Sequence, residues 1–130
     1  MPAFPTGTSE SAVTAALGQP SKISKGLWNT RAFLYQLEDN VDLGYLFDRK
    51  TGILRQTEVA FDQSVSLEVM QTTLQGKLGG NATSNIKEGL QKVYNRQTRR
   101  YSFNVGKLKG VIERNNKDRI YIGIWDADLH

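Results

Sequence analysis

Apolar and polar residues alternate in two separate stretches of this chain, and each stretch follows one with helical spacing. Phe33, Tyr35 and Leu37 share one parity within 31–37. Val41, Leu43, Tyr45 and Phe47 do the same within 41–48, while Asp42 and Asp48 turn the other way. A two-residue period predicts half-buried strands. A third strand over 53–61 alternates less cleanly, because Ile53, Val59 and Phe61 share parity with Arg55 and Thr57. That break predicts a bulge or an edge position. Three more strands are predicted near 99–105, 108–114 and 119–125. The last sets Ile120, Ile122 and Ile124 against Tyr121, Gly123 and Trp125, the cleanest alternation in the chain.

Helical signals fall between these runs. Thr8 or Ser9 can cap a short helix over 10–17, with Val13, Ala16 and Leu17 on one side, Gly18 as its stop and Pro20 beyond. Residues 21–29, with Leu27 and Trp28, read as a turn-rich passage. Turns are also expected at 38–40 and 48–52. Caps between Asp62 and Ser66 precede Leu67, Met70, Leu74 and Leu78 at helical spacing, and Gly79-Gly80 ends that helix. Thr83 or Ser84 caps another, striped by Ile86, Leu90, Val93 and Tyr94.

The order α-β-β-β-α-α-β-β-β lacks the βαβ alternation of a doubly wound parallel sheet. It predicts a single α+β domain, an antiparallel sheet with its helices on one face. The two halves also echo one another. Thr30-Arg31-Ala32-Phe33-Leu34-Tyr35 matches Thr98-Arg99-Arg100-Tyr101-Ser102-Phe103, and Leu17-Gly18 and Leu78-Gly79 end the helices ahead of them. Such self-similarity predicts an internal duplication, roughly 6–62 and 63–130.

The 130 residues suffice for one hydrophobic core. No run reaches the roughly 18 apolar residues of a membrane span, so no membrane insertion by this segment is expected. Met1-Pro2-Ala3-Phe4-Pro5 has the look of a start placed before a segment of a longer protein. The chain has no Cys, which excludes disulfides, thiolate catalysis and Cys-ligated zinc. Residues 1–65 hold six Lys/Arg against seven Asp/Glu, and residues 66–130 hold eleven against six. The basic half serves solubility or an acidic partner.

Catalytic and cofactor signatures are scarce. The one His is His130, at the end of the sequence. Asp126, Asp128 and His130 could touch a metal or serve a small hydrolase, but a polar tail is the plainer reading. There is no Gly-x4-Gly-Lys-Ser/Thr, and no His-Arg-Asp or Asp-Phe-Gly kinase signature. The segment is therefore expected to be no enzyme, with no cofactor and no metal.

Binding is the better expectation. With Ile120, Ile122 and Ile124 on the helices, the opposite face would present Tyr121 and Trp125, with Arg100, Lys107 and Lys109 beside them and Leu34 and Leu46 on neighbouring strands. Aromatic and cationic side chains together anchor protein partners, and a small ligand would use the same groups. The alternative is nucleic acid, on Lys87, Lys92, Arg96, Arg99, Arg100, Lys107 and Lys109 interleaved with Tyr94, Tyr101 and Phe103.

Several strings also resemble a known family. Leu27-Trp28-Asn29-Thr30-Arg31-Ala32, Leu43-Gly44-Tyr45-Leu46-Phe47-Asp48-Arg49, Arg55-Gln56-Thr57-Glu58-Val59-Ala60-Phe61, Tyr101-Ser102-Phe103, Gly110-Val111-Ile112-Glu113-Arg114-Asn115 and the closing 119–128 are similar to the C-terminal region of cyanobacterial serine/threonine protein kinases. The resemblance implies a non-catalytic sensor or interaction domain downstream of a kinase domain, which would be its attached partner. It leaves open a cytoplasmic or a periplasmic place, and whether a membrane anchors the parent kinase. Thr6-Gly7-Thr8 followed by Leu17-Gly18-Gln19-Pro20 is similar to the helix-loop opening of small outer-membrane lipoprotein and beta-lactamase-inhibitor-like folds.

Overall fold

The structure, a computed structural model, describes residues 3–37 and 40–129. The expected turn at 38–40 thus lies largely outside the described residues, as does His130. The elements run α1 (Glu10–Leu17), β1 (Lys22–Lys25), β2 (Thr30–Leu37), β3 (Val41–Asp48), β4 (Leu54–Phe61), α2 (Leu67–Lys77), α3 (Ser84–Tyr94), β5 (Arg100–Val105), β6 (Leu108–Arg114) and β7 (Ile120–Asp126).

The seven strands form one sheet in the order β1-β2-β3-β4-β7-β6-β5, antiparallel at every pairing. Two meanders, β2-β3-β4 and β5-β6-β7, meet through their last strands, with Phe61 opposite Ile120 and Gln56 opposite Trp125. One parity of each strand feeds a single core. Phe33, Tyr35, Leu43, Tyr45, Phe47, Val59, Phe61, Phe103, Ile112, Ile120, Ile122 and Ile124 pack there with Val13 of α1, Met70 and Leu74 of α2, and Ile86, Leu90 and Val93 of α3. All three helices thus cover the same face. Among the described residues the fold is α+β, with a seven-stranded antiparallel sheet and three helices.

Each helix starts where its cap residue can satisfy a free amide. The side chains of Ser9, Ser66 and Thr83 accept from the backbone N–H of Ala12, Val69 and Ile86. After α2 the chain turns at Gly79 and Gly80, both at positive φ (61° and 86°), where a side chain would be strained.

Three local results refine the sequence expectations. Lys22-Ile23-Ser24-Lys25, expected as a turn, is a fourth strand on the first meander, at the sheet edge. The irregular third strand is central, and its broken alternation is a bulge. Leu46 pairs with Gln56 and Phe47 with Leu54, which leaves Arg55 extra. Close approach also explains two glycines. A Cβ on Gly89 of α3 would overlap the ring of Tyr101, and one on Gly110 would overlap that of Phe103.

Candidate functional site

The other parity of the strands makes the second face, which no helix among the described residues covers. Three rows cross it. The middle row runs Leu34, Gly44, Glu58, Gly123, Val111, Ser102. To one side lie Ala32, Leu46, Gln56, Trp125, Lys109 and Asn104, and to the other Gln36, Asp42, Ala60, Tyr121, Glu113 and Arg100.

Glu58 sits at the centre, flanked by Gly44 on β3 and Gly123 on β7. The glycines leave room for side chains to lie along the sheet. A Cβ on Gly123 would come within 2.6 Å of the Tyr121 hydroxyl, and one on Gly44 within 3.2 Å of a Glu58 carboxylate oxygen. Tyr121 therefore leans over Gly123 and hydrogen-bonds Glu58. Gln56 Nε2 donates to Glu58 Oε1 at 2.7 Å. Burial, then the nearby Glu58 charge, raises the Tyr121 hydroxyl above the ordinary tyrosine value, so it stays a donor.

Two hollows flank this centre. One, of about 110 Å³, is lined by Leu34, Asp42, Gly44, Glu58, Ala60 and Tyr121, so it is acidic with an apolar rim. Arg119 closes its edge, donating to Asp42 Oδ2 at 2.6 Å and to the Ala60 carbonyl at 3.2 Å. The other, of about 280 Å³, is lined by Arg100, Ser102, Asn104, Lys109, Val111 and Trp125, so it is basic with an aromatic wall. Arg100 also reaches Glu113 at 3.2 Å.

The sequence-predicted residues distribute unevenly over this face. Tyr121 and Trp125 lie on it, half-buried, with Arg100 and Lys109 exposed in the rows beside them. Leu34 also lies there, 36% exposed, whereas Leu46 is on the face but buried, in line with Gln56 and Trp125. Lys107 is elsewhere. It falls in the β5–β6 turn and lines a separate open hollow of about 610 Å³ with Arg55, Asp126 and Asp128. The other cations also scatter. Lys92 pairs with Glu88 along α3, and Arg96 with Asp118. The tail carboxylates are already engaged: bulged Arg55 donates to Asp126 at 2.6 Å and to Asp128.

Two residues that the sequence did not single out stand at the centre of the molecule. Glu58 is one. The other is Lys77, fully buried on the covered face, whose Nζ hydrogen-bonds Thr57 Oγ1 and stands 5.2 Å from the Tyr45 ring centre. Desolvation lowers its amine from the ordinary lysine range to about 7, although Glu58 pulls the other way. An amine against a hydroxyl can activate a nucleophile, but Lys77 and Thr57 are both 0% exposed, inside the core. The signal for Lys77 was its helical spacing from Met70 and Leu74. For Glu58 it was its place opposite two glycines.

No protein-family model matches the chain, and no curated protein matches it. Among solved structures it is similar to a cysteine-rich secretory protein from Staphylococcus aureus, with TM-score 0.58 and 7% identity over 98% of this chain and 49% of that one. The chain thus spans about half the length of that neighbour. A DUF4309 family protein from Bacillus subtilis (TM-score 0.49, 13% identity, 92% of this chain and 78% of that chain) has a weaker likeness. So has an extracellular protein containing an SCP domain from Bacillus anthracis (TM-score 0.46, 12% identity, 92% and 43%). At these identities the first likeness is one of fold, an α+β domain on an antiparallel sheet.

Proposed function

We propose that the chain is a non-catalytic interaction domain that takes a protein partner on the uncovered face of its sheet. One observation carries this reading: the face holds an acidic hollow lined by the half-buried Tyr121 and a basic hollow lined by the half-buried Trp125, two residues of the same strand. Adjacent hollows of opposite charge around aromatic anchors suit a partner segment bearing both signs. A small zwitterionic ligand would use the same groups. The nucleic-acid reading is the weaker one, because Lys92, Arg96 and Lys107 stand apart from Arg100 and Lys109. A hydrolase on the tail carboxylates is weaker still, with Arg55 tying both.

Attachment to a kinase is proposed on the sequence resemblance alone. In that setting partner binding would regulate the kinase by changing how the domain sits against the catalytic unit. We also read the two meanders as a duplication, in the manner of beta-lactamase-inhibitor-like sheets, since they join through equivalent last strands. The test is capture of partners from a cell lysate by the immobilised chain beside a Tyr121→Ala/Trp125→Ala control. A protein retained by the wild type and lost by the folded control is expected. Equal capture by both contradicts the reading.

A further inference from the structure

Leu27 and Trp28, in the turn between β1 and β2, are 66% and 46% exposed, and Ile23 on the adjoining strand is 51% exposed. Trp28 and Asn29 both hold left-handed backbone, with φ of 54° and 57°. Asn adopts this readily, but a bulky aromatic residue seldom does. The turn is firmly tied. Gly26 N donates to the Thr30 carbonyl at 3.0 Å, and the Thr30 hydroxyl donates to the Leu27 carbonyl.

A second turn is stitched to this one. Arg49 N donates to the Asn29 carbonyl at 3.1 Å, and Arg49 Nε to the Thr30 carbonyl at 3.3 Å. This brings the exposed cations Arg49 and Lys50 beside the exposed Leu27 and Trp28, with exposed Lys25 at the foot of the hairpin. Asp48 adjoins these three cations, which outnumber it. Asp48 accepts from the backbone N–H of Lys50 and Thr51 at 3.0 and 2.9 Å, and Glu10 pairs with Arg31.

We propose that this end of the sheet is an anchor for an anionic membrane surface. Leu27 and Trp28 enter the interfacial layer while Lys25, Arg49 and Lys50 meet lipid phosphates. Trp favours that layer because its ring is apolar and its N–H is polar. Cations at its level add attraction to anionic headgroups. A bilayer fits better than a protein groove because the apolar pair sits on a turn, flanked by three exposed cations. This is contact with a surface, not a span, and it is independent of the proposal for the sheet face.

The test is co-sedimentation with vesicles of phosphatidylcholine alone and of phosphatidylcholine mixed with phosphatidylglycerol. The chain should pellet with the anionic vesicles and be released by salt. Lys25→Gln/Lys50→Gln should cut partitioning by roughly thirtyfold at low salt. Leu27→Ser/Trp28→Ser should cut it by at least about tenfold. Since the chain has two Trp, Trp125→Phe isolates Trp28, whose emission should shift to the blue on anionic vesicles. That reading stands even if the double Ser variant fails to fold. An unshifted Trp28, no pelleting with anionic vesicles, equal pelleting with both lipids, or wild-type partitioning by a folded Leu27→Ser/Trp28→Ser variant would each overturn the proposal.

Discussion

Thr57 and Glu58 are neighbours in β4 that face opposite ways, and their surroundings differ in kind. Beneath the sheet, Thr57 meets the amine of Lys77 in a volume closed to water, and the Tyr45 hydroxyl nearby is buried with no hydrogen-bond partner among the described residues. Above it, half-buried Glu58 accepts from Gln56 and is hydrogen-bonded to Tyr121, between two glycines. Below, burial outweighs every attraction and drives the amine toward neutrality. Above, the side chains stay partly solvated and pair with one another across the strands. One face holds the fold, and the other is the surface proposed above for contact.

The largest expected effect separates two cations on the covered face. Arg114, 9% exposed, donates to the Val93 and Tyr94 carbonyls at 3.2 and 3.0 Å and to Asp118 at 3.0 Å, tying β6 to the end of α3. Arg114→Ala should cost about 3 kcal/mol in urea unfolding, because it removes three hydrogen bonds of a nearly buried guanidinium together with its packing. Lys77 has one such partner among the described residues, Thr57, so Lys77→Met should stabilise the chain near neutrality by about 2 kcal/mol. A loss of stability in Lys77→Met would show that the amine is satisfied after all.

The pH profile follows from the same amine. Between about 7 and its ordinary 10.5, the unfolded chain holds a proton on Lys77 that the folded chain lacks. Stability should therefore rise with pH over that window, by up to about 1.4 kcal/mol per unit, and be unaffected by this group below 7. Above about pH 10 the sign reverses, because Tyr35, Tyr45 and Tyr121 are all raised and the unfolded chain loses their protons first. Urea melts across this range should show a maximum near about pH 9 to 10 in the wild type. Lys77→Met should lack the rising limb.

Two smaller effects probe the open face. Gly123→Ala puts a Cβ within 2.6 Å of the Tyr121 hydroxyl, so the ring must lift from Glu58, at a cost of about 1–2 kcal/mol in thermal unfolding. Glu58→Gln should cost under about 1 kcal/mol, the usual size of one partly exposed hydrogen bond. It should also lower the pH at which the Lys77 limb begins, because Glu58 supports the charged amine from across the sheet. An unmoved limb would mean that the two faces do not communicate.

Much of this comparison was legible in the sequence, for physical reasons that also mark its limits. Val41 to Phe47 and Ile120 to Ile124 alternate cleanly because both strands bury one full side. The bulge showed as a fault in parity at Arg55. β1 did not show, because an edge strand with Ile23 as its only apolar residue has little to bury. Lys107 was counted onto the open face by strand parity, but the β5–β6 turn at Gly106 carries it away. Leu46 lies on the open face as expected, but with only 9% of its surface exposed. Lys77 was invisible as a core residue because a charged side chain at a helix end ordinarily faces water. Only the topology brings Thr57 over that last turn.

The most direct test of the two-face division is to measure stability and capture together on Tyr121→Ala/Trp125→Ala. The expected result is a folded chain with a modestly lowered melting temperature that no longer retains the partner held by the wild type. A chain that unfolds, or one that keeps its partner, would place those rings with the core and contradict a binding role for the uncovered face.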